Sequence, residues 1–468
     1  MQKTQRIVFG FLLGVLLSTQ AIAQLPTADF FDSTNVLRLP VGYVRIGDQN
    51  YVGLRLQPEI KIWKLGIGFN IPLFFSLDDG SFRTDEFQNG SGAFRIIDYI
   101  RFGQKEKDKF YVKLGTLNQE YLGYGYLMNN YTNAASYERR KLGLSYDVRF
   151  LKIFGIEGNY SDLRGLSNIW AFRPYVKPLE KTAIPILKTL EMGFGFLGDR
   201  DEELYNAEGV PVSTQFIKDG IKAWSADLGL NVLKSKLLNI RAYAQYARLG
   251  KVQALADSID RLIAAFPDSL TGAIANGYKA GNGFNIGVQG TLDLIADILK
   301  VNVRLERNWQ QEHFLPQFFD LVYEIDKDGK LWQLANTESV SGTYGVLTAT
   351  IINKVHISGG LQIPDKVTDA TPALIQLALS ADELIPNVIV QGSYLKGNLG
   401  NLADAFKLDE RSLLNARFAY KINKNFVAGV DYRWTFAEVE QDGQLRYKAT
   451  NYVMPYFGLN FSLFKKRE

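Results

Sequence analysis

The residues best suited to chemistry are ionisable side chains that recur at every second position. Arg55 and Glu59 share one parity in 51–61, and Arg139, Lys141, Asp147 and Arg149 share one in 139–150. Arg241 follows in 238–246, Asp293 in 284–293, and Arg304 with Glu306 in 301–309, while Asp227, Arg417, Asp431 and Arg433 complete the set. A spacing of two places such groups on one face of a strand. On that face they can pair with one another, select ions or recognise a polar ligand. Catalysis has less to work with. The chain has only two histidines, His313 and His356, and no cysteine. That excludes disulfides and Cys-based metal sites and speaks against a multi-His metal centre. No nucleophile–base pair can be assigned, so the chain is read as a non-enzyme without cofactor or metal. Gly66-Ile67-Gly68 lacks the strand-to-helix setting of a phosphate cradle and reads as inward-facing strand glycines.

The elements that must position these charges are strands. In 51–61, Val52, Leu54, Leu56 and Ile60 take the opposite parity to Arg55 and Glu59. In 301–309, Val301, Val303, Leu305 and Trp309 oppose Asn302, Arg304, Glu306 and Asn308. The same alternation returns in segments of roughly 10 residues from 36 to 464. Hydrophobic residues make up 46% of the 468 residues, yet mean hydropathy is −0.09, as interleaving requires. The expected fold is all-β: one transmembrane antiparallel up-and-down barrel of roughly 18 to 20 strands. Short connections near 61–65, 233–237 and 421–425 alternate with longer ones near 118–136, 250–280, 311–338 and 438–446. Tight periplasmic turns and long outer loops follow that pattern in such barrels. Trp63, Trp224, Trp309 and Trp434 fall near strand ends, where an amphipathic ring suits a lipid–water interface.

Residues 1–23 read as a secretory signal peptide. Lys3 and Arg6 supply the positive start, Ile7 to Leu17 the short apolar run, and Ala21-Ile22-Ala23 the cleavage site. The remaining organisation is a periplasmic lead-in at 24–35, the barrel at 36–464 and a tail at 465–468. Net charge is +4, and about +2 without the leader, too balanced to argue for nucleic acid.

The chain closes with YFGLNFSLF and then KKRE. Tyr456, Gly458, Phe461 and Leu463 resemble the terminal signal by which outer-membrane proteins are recognised for barrel insertion. The stretch YIRFGQKEKDKFYVKLGTLNQEYLGYGYLMNNYTN (99–133) is similar to outer-membrane barrels of comparable size. These resemblances imply the cell outer membrane, with membrane lipid and the barrel-insertion machinery as partners, and bring no activity. Function therefore rests on the inner face and the loops. One expectation is a porin-like channel for passive or weakly selective solute passage. The other is a loop-filled barrel acting as a binding, adhesion or secretion-scaffold protein, with its solute or surface ligand unidentified. For the second, Gly123 to Asn133 is a candidate inward loop. DSIDRLIAAFPDSL in 250–280 is a candidate amphipathic helix, with Ile259, Leu262, Ile263 and Phe266 on one face and Asp257, Asp260 and Arg261 on the other. That helix has two possible places, inside as a constriction or over the rim.

Overall fold

The computed structural model describes residues 36–462 apart from 47–48, 85–86, 88–95, 135–140, 151–152, 164–168, 201–203, 206–210, 213–219, 267–269, 296–297, 325–326, 353, 369–370, 383, 410–411 and 442–443. The leader and the tail, Arg139 and Leu463 therefore lie outside the described residues.

The alternating segments form 20 antiparallel strands closed into one barrel. The first strands are β1 (Val36–Arg38, resuming as Val41–Ile46), β2 (Gln49–Ile62), β3 (Leu65–Phe69, resuming as Ile71–Ser76), β4 (Ile97–Phe102) and β5 (Phe110–Gly115). Next come β6 (Gly143–Phe150), β7 (Phe154–Tyr160), β8 (Trp170–Val176), β9 (Glu191–Asp199) and β10 (Ile221–Lys234). The far half holds β11 (Leu238–Leu249), β12 (Gly281–Ile295), β13 (Leu299–Gln310), β14 (Val340–Ile351) and β15 (Val355–Pro364). It ends with β16 (Ala373–Asp382), β17 (Val388–Leu399), β18 (Ser412–Lys421), β19 (Phe426–Gln441) and β20 (Gln444–Ser462). Each strand pairs with the next, and β1 closes on β20 through Val36↔Ser462, Leu37↔Phe461 and Arg38↔Asn460.

Closure leaves no edge, the condition for strands to cross a membrane with every backbone group paired. Among the described residues no helix is long and apolar enough to cross. The outer face carries the apolar parity: Phe194, Ile286, Leu305, Phe418 and Phe457 are all exposed. Trp224, Tyr246, Phe284 and Trp309 lie on neighbouring strands near one rim, with ring centroids 5.4 Å apart for Trp224–Tyr246 and 5.8 Å for Phe284–Trp309. At the other rim Trp63, 77% exposed, meets Phe102 at 5.7 Å. Trp434 is half-buried and donates to the Asp409 carbonyl at 3.0 Å. Two aromatic girdles thus bracket the apolar band.

The inner parity is rich in polar residues and glycine and turns apolar towards one rim, at Leu197, Ile221 and Leu249. Tyr99 lies across Gly68, where an added Cβ would stand 2.7 Å from its ring, so these glycines face inward and make room for a tyrosine. One connection departs from the sequence reading. In place of a long loop near 438–446, β19 and β20 run on as a ribbon from Thr435↔Thr450 to Gln441↔Gln444, past the last residue paired with β18.

Candidate functional site: the lumen and its plug

Three connections from one rim fold together into the barrel: 116–142, 250–280 and 311–339. Their sequences explain the choice. Leu117, Leu122, Tyr126, Leu127, Met128 and Tyr131 leave the first too apolar to stay in water, and Phe314, Leu315, Phe318, Phe319 and Tyr323 do the same for the third. They bury one another against Ile169, Leu197, Ile221 and Leu249 of the wall, forming a hydrophobic core inside the lumen. Backbone pairing reinforces it: Gln317 N–H donates to the Tyr126 carbonyl at 2.7 Å and Phe319 N–H to that of Leu127 at 3.0 Å. Gly123 to Asn133 is therefore an inward loop. Gly123 and Gly125 have φ of 59° and 83°, and an added Cβ at Gly123 would lie 3.0 Å from Arg173 Nε, so both conformation and space call for glycine.

The predicted helix is α1 (Gln253–Ala265), which covers this core at the rim. It buries Leu255, Ala256 and Ile259, with Ile263 packed alongside, while Leu262 and Phe266 are exposed. The contact face thus starts one turn earlier than the spacing of 259–266 implied. A second helix, α2 (Lys327–Asn336), buries Leu331, Leu334 and Ala335 in the same core.

The inner-wall charges fasten this plug. Arg173 donates to both oxygens of Asp227 (2.8 and 2.5 Å), to Glu157 at 2.9 Å and to Glu191 at 3.1 Å. Glu157 also accepts the Gly123 N–H at 3.0 Å. Arg304 donates to Glu306, to the Tyr243 hydroxyl at 3.0 Å and to the Tyr124 carbonyl of the plug. The Tyr124 and Tyr243 rings stack at 4.5 Å. Asn129 donates to Gln317 and Tyr344, and Asn130 reaches across to Gln376 of β16 at 3.0 Å. Near the loop rim, Glu324 holds Lys141 at 3.0 Å, and Lys327 holds Asp199 at 2.9 Å. Tyr131 donates to Glu324, and Tyr323 to Asp199 at 2.9 Å.

Burial works against a charge on Glu324, but Lys141, Lys327 and the Tyr131 hydroxyl outweigh it and bring its pKa down from 4.5 to about 2. A carboxyl whose folded value is depressed stabilises the folded form above its unfolded pKa and ceases to do so as pH falls through the folded value. The plug is therefore expected to lose roughly 3 kcal/mol between about pH 4.5 and pH 2 from this group. Proteolytic cleavage within 311–339 as a function of pH is the measurement. Glu324→Gln should remove this acid step and leave the plug weakly held at all pH values.

Beneath the plug, towards the short-turn rim, lies a cavity of about 260 Å³. Asp147, Arg149, Arg241 and Arg304 line it together with Glu106, Tyr121, Arg173, Tyr175 and Glu191. Asp147 accepts the Tyr175 hydroxyl at 2.9 Å and the Glu106 N–H at 3.0 Å, Arg149 donates to the Asp108 carbonyl, and Arg241 to Asn231. Arg55, Arg417, Asp431 and Tyr456 surround a separate cavity of about 60 Å³ near the β1–β20 seam. There Arg417 grips Asp431 through two bonds of 2.5 and 2.6 Å, and Arg433 shares the inward parity of β19 with Asp431. Glu59 accepts Arg38 at 2.9 Å and the Tyr99 hydroxyl at 2.7 Å. Asp293 stands apart: it lies near the end of β12, opposite Lys300 at 3.8 Å, and is partly exposed. Of the insertion-signal residues, Tyr456 and Gly458 are buried on the inner face of β20, and Phe461 continues that strand.

Arg173, the largest fully buried side chain among the described residues, is absent from the charges that spacing singled out. Pro174 beside it masked the strand, because proline is a poor interior strand residue. The alternation Ala171, Arg173, Tyr175 was the available signal. Among the described residues no group of three His, Asp or Glu side chains is placed to hold a metal ion.

No family model matches the sequence, and no curated protein matches it. Solved structures do match in overall form. Over 92% of its length the chain is similar to CdiB from Acinetobacter baumannii, at 9% identity and a TM-score of 0.29, and it spans 60% of that protein. A ferric enterobactin receptor, PfeA, from Pseudomonas aeruginosa is matched over 92% of this chain and 81% of its own, at 9% identity and a TM-score of 0.36. Wzi, an outer-membrane, carbohydrate-binding β-barrel involved in capsule assembly in Escherichia coli, is matched over 92% and 84%, at 11% identity and a TM-score of 0.34.

Proposed function

We propose that the chain is an outer-membrane barrel whose own loops fill the lumen, and that it binds a small polar ligand in the cavity beneath them. One observation carries this reading: the loops share a hydrophobic core with the wall and are held to it and to one another by the buried pairs Lys327–Asp199 and Lys141–Glu324. Loops exchanging freely with water would not bury Phe318, Phe319 and Tyr323 completely. Below the plug, acids, bases and tyrosine hydroxyls converge on a space that suits a small polar molecule. The leader, the closed sheet and its apolar outer face support the outer membrane as its place, and the terminal motif supports delivery by the barrel-insertion machinery.

Planar-bilayer recording of the folded mature protein tests it. The intact barrel is expected to give no steady large current. Replacing residues 314–335 by a short Gly-Ser linker should raise conductance at least about tenfold while migration in detergent gels stays heat-modifiable. A steady large current from the intact protein, unchanged by the deletion, would favour a porin-like channel instead. The charged wall around Arg55, Arg417 and Asp431 is the feature that favours that second reading.

A further inference from the structure

The two rims of the barrel differ in charge. One rim holds both ends of the described sheet and the connections 63–64, 103–109, 151–153, 177–190, 235–237, 296–298, 352–354, 383–387 and 422–425. These contain about two lysines for every carboxylate and no arginine. On the other rim the exposed charges of the described residues are nearly balanced, Asp78, Asp79, Glu312 and Glu338 standing among Arg200, Lys251, Lys279 and Lys366.

The lysines of the first rim also differ from the charges in the lumen. Inside, Arg173, Arg304, Lys141 and Arg417 are each closed on a carboxylate. At the rim, Lys188, Lys236, Lys354 and Lys424 are exposed and make no ion pair among the described residues. Each stands within two positions of an exposed aliphatic side chain: Leu187, Leu237, Ile352 and Ile422 respectively. Those aliphatic residues extend the lipid-facing band to the very end of the sheet. A lysine beside them lays its stem along apolar surface and carries its ammonium to the depth where lipid phosphates begin.

We propose that this rim is a binding surface for anionic phospholipid headgroups, held at several points around the circumference by these lysines. Charge complementarity selects the occupant: unpaired cations directly above a hydrocarbon-facing band meet a negative leaflet, not a protein core. The residue type agrees. Lysine is a hydrated point charge suited to many exchangeable phosphate contacts, whereas arginine would fix a planar bidentate partner. The opposite rim lacks such an excess of cations, which gives the barrel an unequal preference for the two leaflets.

The test uses folded mature protein in phosphatidylcholine vesicles containing a minor fraction of phosphatidylglycerol, with spin-labelled lipid reporting the protein-bound fraction. Phosphatidylglycerol should be enriched over phosphatidylcholine about fivefold, the bias expected from one lysine near an anionic surface. Molar salt should abolish the enrichment. The variant Lys188→Gln/Lys236→Gln/Lys354→Gln/Lys424→Gln should bring the ratio close to one with heat-modifiable migration intact. Lys251→Gln/Lys279→Gln/Lys366→Gln, three exposed positions of the opposite rim, should leave it unchanged. No enrichment by the wild-type barrel, or enrichment that survives the fourfold variant, overturns the proposal.

Discussion

Replacing Arg173 by methionine is expected to cost the barrel about 3–5 kcal/mol, the usual loss when one member of a buried ion pair is removed. The guanidinium is 2% exposed and is the shared partner of Asp227, Glu157 and Glu191, on three strands. Methionine fills much of the volume and leaves three carboxylates facing one another with Lys105 and Lys177 as the remaining nearby cations. Glu157 also anchors the plug through the Gly123 N–H, so the inward loop should loosen as well. The midpoint of the heat-modifiable transition measures the barrel, and protease access near Gly123 measures the loop. Arg173→Lys should recover only part of the loss, because one ammonium cannot serve the fork to Asp227 and Glu157 together. Arg307→Ala is the contrasting variant. Its pair with Asp365 is exposed, and no change in the midpoint is expected. An unaltered midpoint in Arg173→Met would show that the lumen carboxylates are not held by this residue.

Phe319→Ala should release the plug without opening the barrel. The ring is completely buried, packs on Tyr323 at 4.8 Å and Phe318 at 5.2 Å, and its backbone pairs with the 127–129 segment. Truncation of such a phenylalanine costs about 3–5 kcal/mol, through lost burial and the cavity left behind. Because the core joins three connections, the loss falls on local stability of the plug and not on strand pairing, which does not use this side chain. Limited proteolysis should cut within 311–339 much faster than in the wild type, with frequent current bursts in bilayers. Unchanged cleavage would mean that the loops are held by their ion pairs alone.

How much of this was legible in the sequence depends on the range of the interaction. Strand alternation is a local signal, and a one-residue error would turn every side chain to the wrong face. That is why Arg304, Glu306, Tyr243 and Gln245 all lie inside as the spacing required. The long ribbon of β19 and β20 was carried by a local signal too, the Asp442-Gly443 dipeptide typical of tight hairpins, which the charged flanks at 438–446 obscured. The plug is another matter. Asn129 meets Gln317 and Tyr344, and Lys141 meets Glu324, across separations of 183 to 215 residues. No periodicity reports such contacts. The apolar residues of 117–131 are written in the sequence, but the partners they bury against are seen in the structure alone.

The seam between β1 and β20 sets the order in which the sheet is completed. Every other junction joins consecutive strands, but Val36 finds Ser462 only after the whole chain between them has been made and exported. Contacts between distant positions must repay loop-closure entropy before they contribute, and they form late. Until that final zipping step the nascent sheet has two unprotected margins, and its plug has no finished wall to pack against.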